Sequence, residues 1–344
     1  MSAPAAPPAG ARRRSGPLPT AAARRRYRIV VLVLAALAAA AGFGILAWGN
    51  PMPTGTRGWR IIAGLRAADL AVIALVAFCQ ATATVAFQTV TRNRILTPSI
   101  MGFESLYVLV QTAAVFALGA AGATAVRGSW QFLGQVALMV GFAALLYGWL
   151  LTGARGDIQV MLLVGIILGA GLGATATFLQ RLLTPGDFDV LTARLIGSLA
   201  NADIAHLPLS TALAGAAGAA LHARSRRLNV LALGAPVAVN LGLRERRETI
   251  IVLLLVSVLM AVSTALVGPM TFLGFLVAML AYQLADTHDH RLLLPVAWLT
   301  GFTVLAGAYF LLRHVFYAEG SVGIIIEVVG GTAFLLHVMR KGRL

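Results

Sequence analysis

Apolar residues run along the chain in ten blocks, at about 28–48, 70–90, 99–119, 130–151, 159–180, 206–223, 249–267, 271–285, 293–312 and 322–339. A helix crosses roughly 30 Å of hydrocarbon with about 20 such residues, and it satisfies its own backbone hydrogen bonds while doing so. The pattern predicts an all-α, polytopic membrane protein of ten transmembrane helices. The blocks at 206–223 and 271–285 are short, which suits tilted, interfacial or broken helices.

Composition points the same way. The chain is 59% hydrophobic and 11% charged with a mean hydropathy of +0.86, against roughly 45–50% and about 25% for soluble domains. A water-soluble globule is excluded, and so are disordered, collagen-like and disulfide-stapled chains, since Cys79 is the single cysteine. The net charge of +15 would suggest nucleic acid in a soluble protein. Here it reads as topology, because cytoplasmic loops retain Lys and Arg. With the N-terminus inside, only Arg57, Arg60, Arg66, Arg127, Arg181, Arg194 and Arg313 of the 27 basic residues fall outside. Both termini are therefore expected in the cytoplasm, and no nucleic-acid partner is expected.

Residues 1–26, rich in Ala, Pro and Arg, read as a disordered cytoplasmic tail ahead of one membrane domain over 27–344. Arg24, Arg25 and Arg26 before an apolar run raise a signal peptide as an alternative, but the run is long enough to span.

Residue chemistry narrows the driving force. A phosphate-cradling ATPase loop needs a lysine after its glycines, and the one lysine is Lys341, in the C-terminal tail. ATP-driven work would need a separate subunit. No catalytic residues, metal site or cofactor are expected. Of twelve carboxylates, Asp69, Glu104 and Glu327 fall in or beside the blocks, too few for a proton relay across the bilayer. Glu327 reads as a carboxylate hydrogen-bonded within the bundle or beside a water-filled path, with ion coupling as the sharper alternative. His288 and His290, among Asp286 and Asp289, read as solvated loop residues.

Gly165, Gly169 and Gly173 recur every fourth residue in the fifth block, leaving one helix face bare for close approach by a neighbour. That face serves either tight packing or sliding of one helix on another. Between the sixth and seventh blocks, at about 224–248, Val237, Leu241 and Leu243 stand among small residues. Short helices with an apolar docking face are expected there, with an interfacial or re-entrant helix as the alternative.

Several segments resemble the ten-helix permeases of ATP-binding-cassette importers for cobalamin and ferric siderophores, the type II importer architecture. Leu228-Asn229-Val230-Leu231-Ala232-Leu233-Gly234 followed by Ala238-Val239-Asn240-Leu241-Gly242 is similar to the family's L-N-x-L-x-L-G and A-x-x-L-G. Gly268-Pro269-Met270-Thr271-Phe272-Leu273-Gly274 resembles G-P-I-x-F-x-G, and Asp289-His290-Arg291-Leu292-Leu293-Leu294-Pro295 resembles D-H-R-x-L-L-P. Val322-Gly323-Ile324 and Gly330-Gly331 are similar to the family's last helix. Arg94-Ile95-Leu96-Thr97-Pro98-Ser99-Ile100-Met101-Gly102-Phe103 resembles the branch that handles catecholate-type iron siderophores, usually as a heterodimer.

The resemblance implies a permease subunit working by alternating access in a bacterial cell membrane. Its implied partners are an ABC ATPase, a second permease, an extracytoplasmic binding protein and a ferric siderophore. It places ATPase coupling on Gly234, Ala238, Leu241 and Gly242. Docking of the binding protein falls to Arg66 and Arg313, with Arg60 less firmly, and the path to the fifth, eighth and tenth spans. Two departures stand out: Pro236-Val237 replaces an acidic–basic pair, and Asp69 replaces the second arginine of R-x-P-R. Cobalamin or haem in the same architecture, and an ion-coupled secondary transporter, are the alternatives.

Overall fold

The computed structural model describes residues 16–125, 128–152, 158–199, 202–316 and 321–341. Residues 1–15 of the expected tail, with Arg12, Arg13 and Arg14, lie outside the described residues, as do Arg127, Arg155 and Arg343. Among the described residues the chain forms thirteen α-helices and no strand. Eight are long and apolar enough to cross a membrane: α1 (Ala21–Ala47), α2 (Arg57–Thr91), α3 (Phe103–Ala125), α4 (Ser129–Thr152), α5 (Ile158–Gln180), α7 (Leu207–Ala223), α10 (Glu245–Val267) and α12 (His290–His314). The span at α7 includes the 3-10 turn Ile204–His206 ahead of it, and two shorter apolar stretches, α11 (Leu273–Ala285) and Val322–Leu336 of α13 (Val322–Lys341), complete the ten expected blocks. Three further short helices are α6 (Pro185–Leu195), α8 (Ser225–Leu231) and α9 (Ala235–Asn240).

Burial separates centre from rim. In their apolar windows α2 is 72% and α10 67% buried, whereas α1 is 17% and α5 22% buried. The two central helices carry small and polar residues, such as Thr84, Gln80 and Ser263, that let neighbours approach and then hydrogen-bond across the gap: Gln80 Nε2 donates to Ser263 Oγ at 3.1 Å. A β-carbon on Gly274 would fall 2.2 Å from Thr84 Oγ1, so α11 reaches α2 only because that position is glycine.

The helix ends differ from the expected pattern in three places. α1 begins at Ala21, capped by the Thr20 side chain, so the tail ends earlier than residue 26. Arg26 pairs with Asp286 at 2.8 Å, the Tyr27 hydroxyl donates to the Leu292 carbonyl at 3.1 Å, and Thr287 Oγ1 donates to the Pro17 carbonyl at 3.3 Å. Residues 17–27 are thus fastened to the α11–α12 turn. α3 is interrupted at Gly119, whose φ of 68° and ψ of 168° are not helical. The freed Ala120 amide donates to Asp187 Oδ1 at 2.8 Å, and Thr184 Oγ1 donates to Asp187 Oδ2 at 2.7 Å. Asp187 so ties the α3 break to the start of α6, a helix the hydrophobic pattern does not predict. Its start signal is nonetheless present: Thr184 at the N-cap, Pro185 in the first turn and Asp187 behind it.

α10 stops at Gly268 (φ 86°), and three segments converge there. The Ser198 amide donates to the Val267 carbonyl at 2.9 Å, the Gly323 amide donates to the Gly197 carbonyl at 3.0 Å, and Ser321 Oγ donates to that same carbonyl. The end of α6, the α10–α11 turn and the start of α13 therefore form one joint.

Candidate functional sites at the two ends of the bundle and between them

One end of the bundle carries α8 and α9, the α2–α3 connection and the α11–α12 turn. The loop is a two-helix platform. Gly234 (φ 100°) makes the turn between α8 and α9, and the Arg92 guanidinium lies against it. Leu233, Val237, Val239 and Leu241 are exposed in a contiguous stretch of chain. Ala238 is fully buried, which corrects its expected place on the contact surface: it is the foot of α9. Gly242 (φ 79°) is exposed with no atom near its would-be β-carbon, and is required by the turn. The platform is fixed at its base by Glu248 of α10, which pairs with Arg227 and lies 3.6 Å from Arg224.

Two motifs far apart in sequence meet beside it. Asn229 Oδ1 accepts from the His290 amide at 3.0 Å and lies 2.6 Å from its Nδ1, while Asn229 Nδ2 donates to Asp289 Oδ1 at 3.2 Å. His290 Nε2 is 2.7 Å from Thr89 Oγ1 of α2. Asp289 caps α12, and hydrogen bonds from the Arg291 side chain hold its carboxyl well below the usual carboxylate range, against the opposing effect of burial. His290 is 3% exposed, so the expectation of a solvated loop histidine is overturned: the packing of α8 over the start of α12 removes it from water.

The opposite end holds the expected docking arginines, and they divide. Arg66 is buried, its guanidinium donating to the carbonyls of Trp48 at 2.8 Å, Gly49 at 3.1 Å and Ile45 at 3.2 Å. It caps the carbonyl end of α1 with its guanidinium turned inward, which corrects the expectation of a side chain offered for docking. Arg313 is half-exposed, donating to Tyr309 Oη at 2.7 Å and lying 3.4 Å from Asp69 Oδ2, which also accepts from Tyr309 Oη at 2.8 Å. Asp69 thus supplies an acceptor for Arg313 where the family pattern has a cation. Arg60 is exposed.

Between the ends lie the glycine face and a polar cavity. A β-carbon on Gly165 would meet Met101 Cε at 2.9 Å, on Gly169 the Gly102 Cα at 2.9 Å, and on Gly173 the Ser105 Oγ at 3.7 Å. The neighbour of this face is the 3-10 turn Pro98–Met101 and the first turn of α3. A cavity of about 490 Å³ opens alongside, lined by Glu104, Ser105, Thr177, Gln180 and Thr271 among others. Thr271 Oγ1 donates to Glu104 Oε2 at 2.6 Å. α3 and the α10–α11 turn therefore contribute its polar lining together with α5. Glu327 is exposed on the surface of this single chain, which overturns the expected place inside the bundle and leaves the other expected place, beside a water-filled path.

A platform at one end, half-exposed charge at the other and a polar cavity between them are the parts of a transport subunit. The model of the FecCD transport family matches residues 29–340. The chain belongs to the FecCD transport family. Among FecCD relatives, it is 46% identical over 299 residues to the petrobactin import system permease protein FatC of Bacillus anthracis, covering 87% of this chain and 84% of that protein. It is 33% identical to the petrobactin permease YclO of Bacillus subtilis, covering 83% and 90%. To the ferric enterobactin permease FepD of Escherichia coli it is 31% identical, covering 74% and 75%. The fold matches a solved metal-chelate type ABC transporter in an inward-facing conformation, with a TM-score of 0.78 at 22% identity over 91% of this chain and 99% of the other.

Proposed function

We propose that this FecCD chain is the permease subunit of an ATP-driven importer of ferric siderophores in a bacterial cell membrane, working by alternating access. The observation that carries the reading is the 46% identity to a petrobactin permease across most of both chains. The resemblance of Arg94–Phe103 to the catecholate branch makes a catecholate-type iron chelate the cargo, and relatives named for petrobactin and ferric enterobactin support a siderophore.

The exposed apolar platform of α8 and α9 within 224–248 is the contact for an ABC ATPase. Leu233, Val237, Val239 and Leu241 form its surface, with Gly234, Ala238 and Gly242 shaping the backbone beneath. Apolar packing at Val237 takes the place of a charged contact. This end faces the cytoplasm with both termini, in keeping with its arginines. Arg313 and Arg60, at the other end, meet carboxylates of an extracytoplasmic binding protein. The exposed apolar side chains of α5 and α13, including Ile167 and Val328, suit lipid and a second permease subunit. A related but different chain as that second subunit fits the catecholate branch.

Growth of an iron-starved permease-deletion strain tests the cargo. Restoring the chain should rescue growth on a ferric catecholate siderophore and leave ferric hydroxamate, haem and cobalamin use unchanged. Rescue on haem or cobalamin alone would replace the cargo while keeping the architecture.

A further inference from the structure

The contacts around Asn229 join three elements that no single motif connects. Asn229 is on α8, in the platform; His290 opens α12; Thr89 is in the last turn of α2. Asn229 Nδ2 donates to Asp289, so its Oδ1 faces His290, where it accepts the backbone amide at 3.0 Å and the Nδ1–H at 2.6 Å. Nδ1 therefore carries a proton, and Nε2 lies 2.7 Å from Thr89 Oγ1, a hydroxyl that also donates to the Val85 carbonyl at 2.8 Å. Asp289, His290 and Thr89 are all more than nine-tenths buried, so water cannot replace a bond that is lost.

α2 and α12 are themselves bound together along their length. Trp298 Nε1 donates to the Ala74 carbonyl at 2.9 Å. A β-carbon on Gly301 would lie 3.3 Å from the Ala77 carbonyl oxygen. At the far end Tyr309 Oη donates to Asp69 at 2.8 Å, and Arg313 lies 3.4 Å from the same carboxylate. His290 and Arg313 stand at the two ends of one helix, roughly 35 Å apart at 1.5 Å per residue. The pair is a packed strut from the Arg313 end of the bundle to the platform, with Pro295 inside α12 between His290 and Trp298, and the Asn229–His290 contact is where the platform is attached to it.

We propose that Asn229 and His290 are positioning residues that clasp the platform to the α2–α12 strut, so that docking at the Arg313 end reaches the ATPase and ATPase movement reaches the bundle. This rests on the reading of 224–248 as the ATPase contact. Neither residue touches cargo or nucleotide. Their effect is on how faithfully hydrolysis and transport are linked, because a platform freed from the strut can follow the ATPase without moving α2 and α12.

The test uses the full complex of permeases, ATPase and binding protein in liposomes. It measures ATPase retention, basal hydrolysis, stimulation by chelate-loaded binding protein, and ATP hydrolysed per chelate imported. Asn229→Ala and His290→Ala should retain the ATPase and its basal rate but lose stimulation by at least about fivefold, the lower end of ordinary coupling strengths. ATP consumed per chelate should rise in parallel. Thr89→Val, which keeps volume and removes the hydroxyl's contact with His290 together with its bond to the Val85 carbonyl, should show the same defect more weakly, and it carries the test if the alanine variants fail to assemble. Wild-type stimulation and stoichiometry in assembled variants would overturn the clasp. Loss of stimulation in step with loss of ATPase from the complex would overturn it too, since the residues would then hold the platform's shape and nothing more. A wild-type permease that retains no ATPase would overturn the platform reading and this proposal together.

Discussion

Gly102 and Gly169 meet backbone to backbone: a β-carbon on Gly169 would lie 2.9 Å from the Gly102 α-carbon, and one on Gly102 would lie 3.1 Å from the Gly169 α-carbon. Gly102 also has φ of 89°, which L side chains rarely adopt. The seam where α5 crosses the start of α3 is therefore set by two residues from separate motifs.

The seam predicts a graded alanine series. Gly169→Ala pushes against backbone and should destabilise by about 1–3 kcal/mol. Gly165→Ala meets the flexible end of Met101 and should cost less, while Gly173→Ala, at 3.7 Å from Ser105, should be close to neutral. Thermal unfolding in detergent ranks the three. If the face serves sliding, Gly173→Ala should still slow uptake in a complex of normal stability; normal uptake assigns the face to packing.

Arg66 and Arg313 should fail in different ways. Arg66→Ala leaves the carbonyls of Gly49 and Ile45 without their donor and that of Trp48 with only the His314 ring nitrogen at 3.2 Å. At about 1.5–3 kcal/mol for hydrogen bonds to a charged group, it should lower the amount of folded permease at every ionic strength. Arg313→Gln, which removes the charge without setting a second carboxylate against Asp69, should leave folding intact and weaken capture of the binding protein. An exposed pair contributes about 0.2–1 kcal/mol and is screened by salt, so the difference from wild type should shrink as salt rises. Size-exclusion yield and surface-plasmon binding at two salt concentrations separate the two.

On the platform, Leu241→Asp puts a charge on the exposed apolar face without touching the α9 foot, and should release the ATPase while the permease inserts normally. Ala238→Leu should instead distort the loop from within, because that side chain is fully buried. Gly242→Trp tests the surface less cleanly, since its φ of 79° strains any residue with a β-carbon. Copurification of the ATPase with tagged permease reads all three. Full retention by Leu241→Asp would move the contact elsewhere.

Asp289 gives an acid signature. Its carboxyl is held low mainly by hydrogen bonds from Arg291. The stability it contributes is therefore fully present above the ordinary Asp value of about 3.9 and is lost only as pH falls through the lower folded value. Wild type should exceed Asp289→Asn in stability near neutrality, and the gap should close as the medium is acidified. Parallel curves would show that Asp289 does not titrate with folding.

Runs of apolar residues alone locate the ten apolar helices, because hydropathy over about 20 residues is a local property. What it missed depends on contacts between distant positions. Arg66 looked like an exposed cation because nothing nearby in sequence indicates that the end of α1 folds over it. The polar run around His290 looked solvated because its cover, Asn229, lies 61 positions away. Ala238 appeared as part of a small-residue surface until the short helices showed which face points down. α6 was legible in principle from Thr184, Pro185 and Asp187, yet its eleven residues are too short and too polar to stand out as a hydrophobic block.

The central claim, that this chain carries a ferric siderophore inward using ATP spent on another subunit, is tested most directly by transport into sealed vesicles. The permease, its ATPase and a second permease are reconstituted with binding protein and radiolabelled iron chelated by a catecholate siderophore on the side opposite the ATPase. The account predicts accumulation that requires ATP, binding protein and ATPase together, and that persists when proton and sodium gradients are collapsed. Accumulation driven by an ion gradient without the ATPase, or ATP-dependent accumulation of cobalamin or haem with none of the ferric catecholate, would contradict it.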